Sequence, residues 1–423
     1  MRHSPANAAI RSSLPALFLL SAIIGHAPSL LWAQEPAQNT ESSKNGEATA
    51  KPDDSKQSTP NSRERRANLR LVLPREIPAV VGQEVNIYFE NIVLALNPAN
   101  YAFDAVCGKG KQQAERWTWT PTAADVGVFP WEIVVRDEWG ELVAKGTTQV
   151  RVTAADARKG QALEWLAIGD SLTHGSVISR HVLELSKLDG GPALRLIGSH
   201  GPEESPEIRH EGYGGWTALR FATHFTPTAR TGDYKTRGSP FLFETPDGSK
   251  ELSFSRYCAE INGGKSPGYV TIFLGPNDIF SADEMTIEAT LDTMLRHYDQ
   301  LIAMLRAVDN PPRVGVMTAA PPAATQDAFG ANYASGQTRW QYRRNQHRLV
   351  ERMLEKYEGR GTEGIDLIPI HVALDCRRLY PVEKVASSQR AGDLIERQNN
   401  GVHPAAGGYR QIGDVVYAWL LTK

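Results

Sequence analysis

Cysteine is scarce in this chain: Cys107, Cys258 and Cys376 are the only three among 423 residues, isolated and without C-x-x-C spacing. That excludes a disulfide-stapled scaffold and a cysteine zinc site, and leaves room for at most one bridge whose pairing is unreadable. Net charge is equally slight. Lys+Arg 46 against Asp+Glu 48 gives -2, and no Lys/Arg-dense stripe is present to neutralise a phosphate backbone, so no nucleic-acid partner is expected. A long uninterrupted apolar run is missing too. The stretch from Leu14 to Ile24 is broken by Pro15 and Ser21 and followed by Gly25 and His26, which is short for the roughly 20 residues of a membrane span. With Arg2 and Arg11 near the start and Ala33 before Gln34 as a small-residue cleavage site, residues 1–33 read as a secretory signal peptide. A retained anchor is the competing reading. Export implies a secreted, periplasmic or cell-envelope protein with no stable membrane insertion after cleavage.

What is present divides by composition. Residues 34–66 are Ser, Asn, Glu, Lys, Gln, Pro and Ala with almost no large apolar side chain, so they cannot offset the entropy of ordering and read as a disordered polar linker. From 67 to 155, alternating runs at Val85–Phe89, Trp117–Thr120, Trp131–Val135 and Thr147–Val152 are punctuated by Pro, Gly and Asn, the pattern of a small all-β sandwich. The segments Trp119–Thr122, Asp125–Gly127 and Val135–Asp137 loosely resemble immunoglobulin-like or cadherin-like bacterial modules. From 156 to 423 strands alternate with helices, which predicts a three-layer α/β/α domain around a mostly parallel five-stranded sheet. The candidate strands are Leu163–Ile168, Leu194–Gly198, Tyr269–Leu274, Val314–Thr318 and Ile365–Ile370. Helical periodicity is clearest over Glu284–Val308, Thr338–Tyr357 and Ala405–Leu421.

Directly after the first of those strands comes Gly169-Asp170-Ser171-Leu172, which puts a serine hydroxyl where a buried strand turns into a helix. Open α/β sheets bind ligands at that carboxyl edge, and a helix start presents free N–H groups there. Taken alone, the tetrapeptide is equally a turn followed by an N-cap. Three further blocks follow in order: Gly212-Tyr213-Gly214-Gly215-Trp216-Thr217, Gly275-Pro276-Asn277-Asp278, and Val402-His403-Pro404. Together, over residues 160 to 423, they resemble the SGNH hydrolase superfamily, the GDSL-type esterases and lipases, whose fold is flavodoxin-like.

That resemblance implies Ser171 as nucleophile, His403 as general base, and an oxyanion hole formed by the Ser171 N–H, the Gly215 N–H and the Asn277 side-chain amide. The chemistry is consistent. A serine needs an imidazole to take its proton during attack and return it to the leaving alcohol, and the carbonyl oxygen needs donors as it gains charge. Because those groups cover both needs, no metal or organic cofactor is expected. Asp278 is expected to serve a turn or a backbone N–H. The family's acid, three residues before the histidine, is replaced here by Asn400. An asparagine oxygen can accept the ring Nδ1–H but brings no charge, and a flipped amide would favour the wrong tautomer. Three arrangements stay open: Asn400 as neutral partner, a carboxylate such as Asp393 in its place, or a Ser–His dyad on a backbone carbonyl.

Other residues read blandly. His174 and His210 are expected to be packed or solvated, Arg343, Arg344 and Asn345 to form a charged solvated helix face, and Trp216 and Trp340 to bury. The stretch Glu211–Thr217 most resembles extracellular carbohydrate esterases, which implies a small acyl ester, acetyl above all, on an extracellular polysaccharide. The alternatives are a lipase or lysophospholipase, and a catalytically weakened glycan- or protein-binding protein.

Overall fold

The computed structural model describes residues 69–423. The expected signal peptide over 1–33 and linker over 34–66 lie outside the described residues. The chain first builds two small sheets from β1 (Glu76–Val80), β2 (Val85–Tyr88), β3 (Ala102–Val106), β4 (Lys111–Gln112), β5 (Arg116–Trp119), β6 (Gly127–Arg136) and β7 (Leu142–Thr153). One sheet has the order β1-β7-β6-β3 and the other β2-β5-β4. Their inner faces meet through Trp117 against Trp131 and Trp119 edge-on to Phe129, at ring separations of 6.3 and 5.1 Å. All four strands expected here from alternation are present.

Between Thr153 and Ala162 the chain changes to α/β. The strands are β8 (Ala162–Gly169), β9 (Ala193–Ile197), β10 (Glu211–Gly212), the hairpin β11 (Leu242–Glu244) and β12 (Lys250–Leu252), then β13 (Tyr269–Phe273), β14 (Arg313–Met317) and β15 (Ile365–Ile368). The main sheet is parallel in the order β8-β13-β14-β15, with β9 and the two-residue β10 sharing the other edge of β8. Each of the five expected strands is found. Their near-continuous apolar runs reflect burial on both faces. Helices α1 (Ser171–His174), α2 (Val177–Ser186), α3 (Ala218–Thr223), α4 (Phe254–Ile261), α5 (Pro276–Ile279), α6 (Ile287–Arg306), α7 (Asp327–Tyr333), α8 (Arg339–Tyr357) and α9 (Ala406–Thr422) complete the domain.

The alternation of side chains along the strands assigns the helices to layers. Trp165, Phe273, Met317 and Ile368 pack with α2 and α9 on one face. Leu166, Ile168, Ile272 and Val316 pack with α3, α4, α6 and α8 on the other. The result is a three-layer α/β/α domain preceded by a β-rich module. A last hairpin, β16 (Val382–Ser388) paired with β17 (Ala391–Gln398), stands out from the body just before the His403 loop.

The two parts of the chain share one core. Ile77, Ile87, Trp131 and Val150 of the β-module fall in the same buried cluster as Trp165 and Trp419. Polar contacts cross as well: His371 Nε2 lies 3.0 Å from the Val72 carbonyl, and the Asn91 amide donates to the Leu374 carbonyl at 2.8 Å. The α8 face expected to be solvated contributes a third tie, and this corrects that reading. Arg343 is only 2% exposed and donates to the carbonyls of Glu90 and Val93, while Asn345, fully buried, donates to those of Ile279 and Ala282. These side chains satisfy carbonyls that close packing has cut off from water. Arg343→Met should therefore strand two buried acceptors and lower unfolding stability by about 2–5 kcal/mol in denaturant titration. A change under about 0.5 kcal/mol would mean that the carbonyls find other donors.

Candidate active site

The turn after β8 is shaped by its side chains. A Cβ on Gly169 would collide with Thr173 and approach the Phe273 carbonyl to 2.9 Å, so only glycine lets the chain close into α1 there. Asp170 caps that helix by accepting the Leu172 N–H at 2.9 Å, which leaves Ser171 at its first position, half exposed at the sheet's carboxyl edge. The Ser171 N–H makes no hydrogen bond to protein among the described residues.

His403 meets the serine from the other end of the domain. Its Nε2 lies 2.8 Å from Ser171 Oγ, across 232 residues of sequence. Nδ1 faces Asn400 Oδ1 at 3.3 Å. The same oxygen accepts the backbone N–H groups of His403 and Val402 at 2.8 and 3.1 Å. Those two donors decide the amide's orientation, because a flipped NH2 would point hydrogens at hydrogens. The oxygen therefore faces Nδ1, Nδ1 carries the proton, and Nε2 is free to accept from the serine. Sharing one oxygen among three donors accounts for the long contact to the ring. Burial holds the His403 imidazole below its ordinary pKa, with no carboxylate to oppose the shift. Asp393, the alternative carboxylate, is exposed on β17, and no hydrogen bond links it to His403.

Asn277 sits at the start of α5, and its amide donates to the Trp216 carbonyl at 3.1 Å and, weakly, to Asp170 Oδ2 at 3.4 Å. Its neighbour Asp278 accepts the Ala218 N–H at 3.1 Å, the backbone role expected of it, and so caps α3 against α5. These bonds join the second and third sequence blocks beside Ser171. Gly215 has φ +77, a left-handed conformation that an L side chain would strain, and its N–H also has no protein acceptor among the described residues. Burial pushes both Asp170 and Asp278 up to about 7, well above the ordinary carboxylate range.

His174 and His210 are packed, as expected, but their grouping with two further rings has no signal in spacing. His174, on the first turn after Ser171, belongs to an aromatic wall with His200, His210 and Tyr234. His174 Nδ1 lies 3.3 Å from the Gly212 carbonyl, which can only accept, so this nitrogen carries the proton. It also faces His200 Nε2 at 3.0 Å, which makes His200 the acceptor. Tyr234 covers His174 at a ring separation of 4.2 Å, and His210 is held by Ser176 Oγ at 2.8 Å. Burial lowers all three histidines, His200 to about 4 and His210 to about 3, so the wall is neutral at ordinary pH. The signal was instead the recurrence of three histidines within the 40 residues that follow the serine.

A parallel α/β/α sheet with a serine–histidine pair at its carboxyl edge is an arrangement suited to acyl transfer. The chain belongs to the GDSL-like lipase/acylhydrolase family, whose model matches residues 166–416. No curated protein matches its sequence. Among solved structures, Est24, a carbohydrate acetylesterase from Sinorhizobium meliloti, is 13% identical, with 62% of this chain and 99% of that one covered at a TM-score of 0.34. An acetyl xylan esterase, AlAXEase, is 14% identical over 61% and 100% of the two chains, at 0.32. The native M. smegmatis aryl esterase is 12% identical over 62% and 99%, at 0.34.

Proposed function

We propose that this hydrolase is exported and removes a small acyl group, acetyl above all, from a carbohydrate hydroxyl. We take 1–33 as its signal peptide, 34–66 as linker, 67–155 as the β-module and 156–423 as the catalytic domain. The observation that carries the catalytic reading is the 2.8 Å contact between Ser171 Oγ and His403 Nε2, with Asn400 holding the opposite ring nitrogen.

In this reading Ser171 Oγ attacks the ester carbonyl carbon while its proton passes to His403 Nε2. The carbonyl oxygen gains a negative charge and meets the N–H groups of Ser171 and Gly215 and the Asn277 amide. For Asn277 the long bond to Asp170 is the one exchanged for the oxyanion. Collapse of the tetrahedral species breaks the bond to the alcohol oxygen, which takes the proton from His403. Water then repeats the sequence on the acyl-serine and releases the acid. Support for a sugar ester comes from the Glu211–Thr217 stretch. Nitrophenyl acetate should be cleaved faster than nitrophenyl octanoate, and acetate should be released from acetylated xylo-oligosaccharides. A faster octanoate rate would favour the lipase reading instead.

The neutral Asn400 has a pH signature. His403 must be unprotonated to act, and burial lowers its pKa, so kcat/KM should fall on the acid side with a midpoint below about 6.5. Asn400→Asp places an anion against Nδ1, which favours the imidazolium. The midpoint should then move up by about one unit while kcat at pH 8 is preserved or raised. An unmoved acid limb would show that Asn400 does not orient the ring.

A further inference from the structure

A second cavity, of about 320 Å³, opens between the β-module and the segment that follows β15, and none of its lining residues belongs to the site described above. Its volume lies at the lower end of the ~300–1,000 Å³ range of small-molecule sites. One wall is aromatic: Phe89 and Phe103 stack at 5.3 Å with an interplanar angle of 13°, and Tyr101 lines the cavity beside them. The other wall carries Glu90, Glu115, Asp375 and Arg377.

Charge decides what such a space can hold. Glu115 is paired with Arg377 and Arg378 at 3.3 and 2.7 Å, and Glu90 with Arg339 and Arg377 at 3.8 and 3.9 Å. Asp375 is paired with Arg378 at 3.4 Å and accepts the backbone N–H groups of Arg377 and Arg378, each at 3.0 Å. Every carboxylate is already compensated, so a cation gains no unpaired anion. An anion would face three carboxylates. A purely apolar ligand would dehydrate the charged wall without replacing its lost hydrogen bonds. What remains is a neutral ligand with an apolar face for the rings and hydroxyls for the fixed carboxylates and guanidinium.

We propose that this cavity is a binding site for a neutral glycan, with a pyranose ring against Tyr101 and its hydroxyls on the Glu90–Glu115–Arg377 wall. The β-module would thereby hold a polymer while the α/β domain acts on it. The inference stands whether or not the ester cleaved at Ser171 is on a sugar. It is tested by titrating the chain calorimetrically with xylohexaose, cellohexaose, mannohexaose and chitohexaose. At least one should bind with Kd in the range of about 10 μM to 1 mM. Tyr101→Ala should weaken that binding at least about ten-fold, as should Ala99→Arg, which fills the cavity from its exposed rim without removing a wall. Hydrolysis of nitrophenyl acetate should be unchanged in both variants, which also reports that they fold. The proposal is overturned if no hexaose binds, if both variants bind as wild type does, or if Tyr101-dependent binding is found for choline or oligogalacturonate alone. A wild-type chain that binds none of the hexaoses yet hydrolyses nitrophenyl acetate would remove this site and leave the esterase reading standing.

Discussion

Ser171→Ala should lower kcat on nitrophenyl acetate by about 10⁴- to 10⁶-fold, and His403→Ala should do nearly the same. The two groups act as one unit: the imidazole is useful only if it has a hydroxyl proton to take, and the hydroxyl only if something takes it. The 2.8 Å contact is within the range for that transfer. The double variant should therefore be no slower than either single one, with the remaining rate coming from the oxyanion donors and binding. KM should change little, because neither group is needed to bind the ground state. A double variant slower by the product of the single effects would mean that the two residues work independently, and the mechanism would fail.

Asn277→Ala should cost about a hundred- to a thousand-fold in kcat, again with KM nearly constant, because the amide meets a full negative charge only in the transition state. Two outcomes are distinguishable by protein stability. The Asn277 amide also bonds the Trp216 carbonyl at 3.1 Å, so a merely structural role would lower stability and activity together. Activity lost at unchanged denaturation midpoint supports the oxyanion role. An Asn277→Ala enzyme with kcat within about three-fold of wild type would eliminate the residue as a donor.

Sequence periodicity made the sheet legible because its strands are buried on both faces and read as apolar runs. Helices α6 and α8 were legible because each repeats apolar residues at helical spacing, and α9 because its second half, buried on all sides from 415 to 421, reads as an apolar run. The serine and histidine of the candidate site were legible through their order along the chain, which the fold converts into a 2.8 Å contact, and Asn277 reaches the serine's neighbour Asp170. Other features carried no such signal. Strand β10 has only two residues, Glu211 and Gly212, too few for any period. The β16–β17 hairpin is exposed on both faces and so has no apolar alternation to betray it. Arg343 is among the most polar residues of α8, yet it is buried because backbone carbonyls from a distant segment need its hydrogens. The orientation of the Asn400 amide depends on two backbone N–H groups, whose positions no residue name specifies.

The shared core has a consequence for how this protein could be cut or recombined. Strand β1 pairs with β7, Thr153 Oγ1 meets Thr422 Oγ1 at 2.9 Å at the end of α9, and Ile77 and Trp419 lie in one buried cluster. Cleavage between Thr153 and Ala162 would leave both halves with raw apolar faces instead of two separable modules. The β-module is thus a poor candidate for transplantation onto another hydrolase, and a catalytic fragment starting near 156 would need its exposed face redesigned before it could stay in solution.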